Sequence, residues 1–179
     1  MDFNILVLER IVPLFSREGI FIKKMEDNLF YFESDLVEVS LSFNILDRST
    51  GFAIGPKGRL RTVTEYAINK VFNIGIQLTN VTKEVFVNNL FFFFSNEGLT
   101  LLRGNLDKLR ELDEQVGIES KSYTDNIINL QNLKEIDDAW DEQNYFKFIN
   151  LMGKFYCPSF PASYMLKLKI AHKKLGETD

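Results

Sequence analysis

The chain is poor in the two side chains on which most metal and nucleophilic chemistry depends. Its 179 residues hold one cysteine, Cys157, and one histidine, His172. A lone cysteine excludes an intramolecular disulfide. With no second Cys or His to complete a tetrahedral set, a structural zinc site is not expected. His172 reads as a partly exposed residue near the C-terminal end of a helix, where a cation suits the helix dipole. Cys157, in "FYCPSF", reads as a small semi-buried hydrophobe. Neither a metal nor another cofactor is expected.

Long apolar runs are missing as well. No stretch approaches the ~20 residues that cross a bilayer. The opening "MDFNILVLERIVPLF" has neither the basic leader nor the small-residue cleavage site of a secretory signal. A soluble, cytoplasmic protein without membrane contact is the expectation. Basic charge is also short, with 21 Lys and Arg against 25 Asp and Glu, a net charge of −4. Nucleic-acid binders carry a basic footprint. Here the basic residues gather only in "KGRLR" at 57–61 and "KLKIAHKK" at 167–174, so nucleic acid is not expected as a partner.

Two further absences narrow the chemistry. "GFAIGPKGR" is the one glycine-rich loop with basic residues, but its glycines at 51, 55 and 58 fit neither a phosphate loop nor a dinucleotide fingerprint. No Ser or Thr follows Lys57 to hold magnesium, and the segment reads as the end of a hairpin. Carboxylate pairs such as Glu33 and Asp35 could serve acid–base chemistry, but among 25 acids such spacings arise by chance. No catalytic constellation emerges.

What the chain has in excess is phenylalanine: 17 copies, against six tyrosines and one tryptophan. Phe has no polar tip to satisfy, so this enrichment points to an aromatic-rich core. The densest run is "VNNLFFFFSNEG" at 87–98. A short apolar run closed by a turn signal predicts a central strand buried on both faces, with Phe91 to Phe94 placed two on each.

The rest of the chain divides by hydrophobic period. Phe3, Leu6, Val7, Ile11, Leu14 and Phe15 form a helical stripe over residues 2–18. Asp2 can cap it, Gly19 can end it in the left-handed conformation, and Pro13 should kink or break it. "GIFIKKMEDNLFYFE" predicts a hairpin turning at "MEDN". In "LVEVSLSFNIL", Val37, Val39, Leu41, Phe43 and Ile45 alternate with Glu38, Ser40, Ser42 and Asn44, as in a sheet with one dry and one wet face. "DRSTG" is a turn, and "FAI" begins the next strand before "GPKG" breaks it. Residues 60–71 fit either a short helix or an extended segment, and Phe72, Ile74, Ile76 and Leu78 alternate as a further strand.

From residue 105 the period becomes helical. Leu106, Leu109, Leu112 and Val116 form a stripe, with Asn105 as cap and Gly117 as stop. After a polar connector, residues 130–141 and 143–153 predict two helices. The last begins near Pro161 and buries Tyr164, Leu168, Ala171 and Leu175. Helix, then strands, then helices predicts a single α+β domain over residues 1–179, an antiparallel sheet with helices mainly on one face.

Charge is unevenly placed. Between Glu111 and Glu142 stand ten acids and two bases, so this segment carries −8 and the remainder +4. Its densest part, "EIDDAWDEQNYF", sets the only tryptophan among carboxylates. One-signed fields speed encounter with an oppositely charged partner, and Trp and Tyr are favoured interface anchors. Asp137, Asp138, Trp140, Asp141, Glu142 and Tyr145 are therefore the candidate partner-binding residues. The competing reading is a solvated helix face with Trp140 turned into the core.

Three stretches, "GIFIKKMEDNLFYF", "FNIGIQL" and "YFKFINLM…PSFPASYMLKLKIAHKK", give the chain a resemblance. Together they resemble small uncharacterised bacterial α+β proteins of the kind found as immunity proteins in polymorphic toxin systems. The resemblance spans most of the chain in order of elements and carries over no functional residue. It implies a non-enzymatic domain that binds and neutralises a cognate toxin, and the acidic segment makes a basic toxin the expected protein partner. The rival expectation is a small-ligand-binding or enzymatic domain with a Phe-lined pocket between sheet and helices.

Overall fold

The computed structural model describes residues 2–156 and 160–176. Cys157 lies outside them. Within the 179 residues read above as one domain, the chain packs as two compact units, Met1–Glu119 and Ser120–Asp179.

The first unit opens with a helix in three parts: α1 (Phe3–Leu6), a π-helical turn (Val7–Ile11) and α2 (Val12–Arg17). Asp2 caps it by accepting the Asn4 amide at 2.8 Å. Pro13 accounts for the interruption: it has no N–H to donate, and a π turn just before it re-spaces the ladder. Gly19, at φ +74°, ends the helix as expected.

An antiparallel five-stranded sheet follows, in the order β1-β2-β3-β4-β5: β1 (Phe21–Glu26), β2 (Leu29–Glu33), β3 (Val37–Phe43), β4 (Thr50–Pro56) and β5 (Arg61–Thr62). The first hairpin turns at Asp27 and Asn28, with Asn28 at φ 59°. Its amide donates to Asn4 Oδ1, which ties the turn to the N-terminal helix. The register sets cross-strand rows on one face. Phe30, Leu41 and Phe52 form one row, and Phe32, Val39 and Ile54 the next. All six are buried. On the other face Lys23 reaches Glu33 and Glu38, so the predicted dry and wet faces are present. Ile45 departs from the prediction, lying beyond β3 and 67 % exposed.

Residues 60–71 resolve into β5 followed by α3 (Glu65–Phe72), capped by Thr64 on the Ala67 amide. The strand predicted from Phe72 to Leu78 does not form. Phe72 ends α3, and the following residues cross the surface without strand pairing, with Ile76 and Leu78 still turned inward. Side chains of α3 replace the missing ladder. Asn69 bonds both the amide and the carbonyl of Ile76, and Glu65 accepts from the Leu78 and Thr79 amides.

The four-phenylalanine run is a helix, not a strand. It lies in α4 (Lys83–Ser95), capped by Thr82 on Val85. Phe86, Val87, Leu90, Phe93 and Phe94 are buried at helical spacing, whereas Phe91 and Phe92 are 37 % and 58 % exposed. The buried rings bind the layers together. Phe15 of α2 meets Phe32 of β2 and Phe94 of α4 edge-on, and Phe94 also meets Phe52 of β4. The expected aromatic-rich core is therefore present, but one of its walls is helical.

After the short α5 (Leu99–Leu102), α6 runs from Leu106 to Asp141 without a break, beginning in the first unit and ending in the second. Asn105 caps it on the Lys108 amide. Gly117, predicted to stop it, is an interior residue, and the helix predicted at 130–141 is its last part. In the second unit the end of α6 is joined by α7 (Tyr145–Phe155) and α8 (Ala162–Lys174). Their core holds Ile136, Ala139, Phe148, Met152, Tyr164 and Ala171. Leu168 is half-buried as part of this packing, but Leu175 is 42 % exposed, contrary to expectation. No helix of the described residues is long and apolar enough to cross a membrane.

Candidate functional site

The six residues singled out by charge and aromatic content lie at the end of α6 and the start of α7, and the structure sorts them into two sets. Asp138, Asp141 and Glu142 are exposed. Their spacing of three and four residues places them on one helix face. Glu135, three residues before Asp138, is exposed on the same face. Asp137, Trp140 and Tyr145 are half-buried and belong to the packing of the second unit.

Asp137 is engaged by α8. It accepts hydrogen bonds from the Tyr164 hydroxyl at 2.5 Å and from the Lys167 ammonium at 2.9 Å. Tyr164 and Lys167 stand three residues apart on α8, so one helix face presents both donors to one carboxylate. The Lys167 ammonium also lies 5.5 Å from the Trp140 ring centre and 5.0 Å from that of Tyr164. The Trp140 ring meets Tyr145 and Phe148 edge-on, at 5.7 and 5.2 Å. Trp140 is thus a packing residue with a cation on its face, and the competing reading from the sequence describes it best.

The titrations follow from this geometry. Burial works to raise the Asp137 carboxyl, but the hydrogen bonds from Lys167 and Tyr164 outweigh it and leave the group below the usual aspartate value. The Tyr164 phenol is pushed up to about 12, by burial first and then by its hydrogen bond to the Asp137 carboxylate.

Two features of this region escaped sequence reasoning. The partners of Asp137 stand 27 and 30 positions away, and no local pattern announces such a pairing. Phe146 is 69 % exposed, just past the acidic turn. Its signal was legible: Phe148 and Met152 mark the buried stripe of α7, and Phe146 falls outside it.

A second feature belongs to the first unit. Between the β4–β5 hairpin and the first turns of α6 lies a cavity of about 250 Å³. Arg59, Arg61 and Arg110 line it together with one acid, Asp113, above aliphatic side chains that include Val63, Leu109 and Val116. The "GPKGR" segment is the hairpin end expected from the sequence, and Gly55 shapes it. A Cβ at Gly55 would stand 2.1 Å from the Arg59 carbonyl oxygen, so only glycine lets the returning chain cross β4 so closely. Thr64 bonds Glu119 at 2.5 Å and holds α6 beside this segment. A wider depression of about 670 Å³ lies between the end of β3 and the start of α4. Its charges (Asp47 and Glu84, Arg48 and Lys83) cancel.

Groups of three or more His, Cys, Asp or Glu side chains placed to hold a metal are absent among the described residues. Compared with known protein families, curated proteins and solved structures, the chain matches none.

Proposed function

We propose that this protein is a non-enzymatic protein-binding domain, an immunity-type inhibitor that neutralises a basic toxin with the acidic end of α6. One observation carries this reading. A helix C-terminus bears partial negative charge, so each carboxylate there costs about 0.3–1 kcal/mol. α6 has 36 residues and no basic residue in its last turn. Asp138 and Asp141 stand in that turn and Glu142 directly after it, all exposed. Selection for stability alone favours lysine at these positions; a docking surface for a cationic partner accounts for the acids. The exposed Phe146 beside them in the chain supplies the aromatic anchor that such a surface needs.

Rim carboxylates of this kind act mainly on the rate of encounter, by steering an oppositely charged partner. The resemblance to immunity proteins supplies the class of partner. The test is to express the product of the neighbouring gene with and without this chain. Growth arrest by that product, relieved by this chain and accompanied by co-purification, supports the reading. Recovery of this chain alone after gentle lysis, with the neighbouring genes expressed, overturns it.

A further inference from the structure

We infer that the cavity between the β4–β5 hairpin and α6 is a binding site for a small organic anion: an oxyanion carried on a short apolar body. Three observations converge on it. The first is charge. Arg59, Arg61 and Arg110 line the cavity with one acid, Asp113, and Asp107 stands beside Arg110, so bases still outnumber acids there, three to two, on a chain whose total is −4. This local positive field cannot be a reflection of general composition.

The second is the state of the guanidinium groups. Arg61 stands 3.7 Å from Asp113, and Arg110 stands 3.7 Å from Asp107. Both distances are too long for hydrogen bonds, so the donors of these arginines remain open to an arriving oxygen. Guanidinium presents a planar fork that matches a carboxylate or a phosphate in two-point contact, and several forks around one cavity favour an oxyanion over any other ligand.

The third is shape. The floor is aliphatic, from Val63, Leu109 and Val116, while the arginines stand at the exposed side. A bare inorganic ion would leave that apolar floor unused. The volume of about 250 Å³ falls just under the ~300 Å³ at which pockets for drug-sized ligands begin, so the body is a single ring or a short chain. Gly55 also gains a role. By letting the Pro56–Leu60 turn cross close to β4, it brings Arg59 and Arg61 to the same opening that Arg110 reaches from α6. This site is independent of the protein-binding reading, which concerns the second unit.

The test uses the full chain and amide NMR titrations with four probes: phenyl phosphate, benzoate, inorganic phosphate and a short single-stranded oligonucleotide. Phenyl phosphate or benzoate should shift the amides of Val63, Leu109 and Val116 in a saturable way, and the tighter of the two names the head group. In the double variant Arg59→Gln/Arg110→Gln, binding should weaken by about tenfold per guanidinium removed. Melting should be unchanged, because both side chains are exposed. The inference is overturned if neither organic anion shifts these amides, or if the double variant binds as well as the parent. It is also overturned if inorganic phosphate binds as tightly as the better of the two organic anions, or if the oligonucleotide alone binds.

Discussion

Asp137 and Tyr164 are joined by a 2.5 Å hydrogen bond that links α6 to α8, with Lys167 closing the same carboxylate from the other side. An acid in the most acidic part of the chain, half-buried, is thereby engaged in the packing of the second unit. Its consequences can be read in titration. The phenol of Tyr164 is raised to about 12, so it contributes stability that is complete below the ordinary tyrosine range and is lost as pH rises toward that value. The depressed Asp137 works in the opposite direction, contributing stability above the usual aspartate range that is lost in acid.

Replacing Asp137 by Asn should therefore return Tyr164 toward its ordinary range. In a spectrophotometric alkaline titration the wild type should show a late tyrosine step that is absent from Tyr164→Phe. That late step should move to lower pH in Asp137→Asn. An unchanged profile in Asp137→Asn would show that burial alone raises the phenol.

The four consecutive phenylalanines separate into two inward and two outward residues on α4, and truncation should separate them energetically. Phe94 is fully buried against Phe15, Phe52 and Phe93, so Phe94→Ala should cost about 3–5 kcal/mol. Phe92 is more than half exposed, and Phe92→Ala should cost less than about 1 kcal/mol. Equal losses in urea unfolding would contradict the helical placement and restore a strand with both faces covered.

That run also shows which part of the fold was legible. A five-residue apolar stretch has no period of its own, and a buried strand and a buried helix look alike over such a length. The deciding signal lay outside it, in Phe86 and Val87, which continue the helical stripe back to the Thr82 cap. The alternation from Phe72 to Leu78 misled for a different reason. Its inward residues, Ile76 and Leu78, are buried as predicted, but Asn69 and Glu65 satisfy the backbone that a neighbouring strand would have paired. Periodicity reports burial; it does not report the hydrogen-bond partner. The hairpins and β3 were legible because turn residues and alternation agreed there. In the candidate site, exposure of Asp138, Asp141 and Glu142 followed from local charge, whereas the engagement of Asp137 depended on Tyr164 and Lys167, far along the chain.

Gly117 teaches the same lesson about helix ends. Glycine stops a helix when it takes a left-handed conformation, but Gly117 has no positive φ and sits within α6, facing open space. An interior glycine costs a helix about 0.8–1 kcal/mol relative to alanine. Gly117→Ala should accordingly raise stability by about 0.5–1 kcal/mol in thermal or denaturant unfolding. Destabilisation would mean that this position needs a backbone conformation closed to alanine.

The sharpest prediction concerns the exposed acids at the end of α6. Changing Asp138, Asp141 and Glu142 to Lys should not weaken the fold, since none of the three appears in an ion pair among the described residues. Removing three carboxylates from the negative end of the helix dipole should even raise melting slightly. The same variant should associate with a basic partner more slowly by about tenfold or more at low salt, because steering is reversed into repulsion. Rising ionic strength should narrow this gap, as screening over a Debye length of ~8 Å at physiological salt weakens both attraction and repulsion. Asp137→Lys is the internal control: it breaks the contact to Tyr164 and Lys167 and should lower melting. The measurements are thermal melting and the association rate of each variant across a salt series. If the triple variant melts lower while its association rate per folded molecule is unchanged, the three acids are structural and the docking surface lies elsewhere.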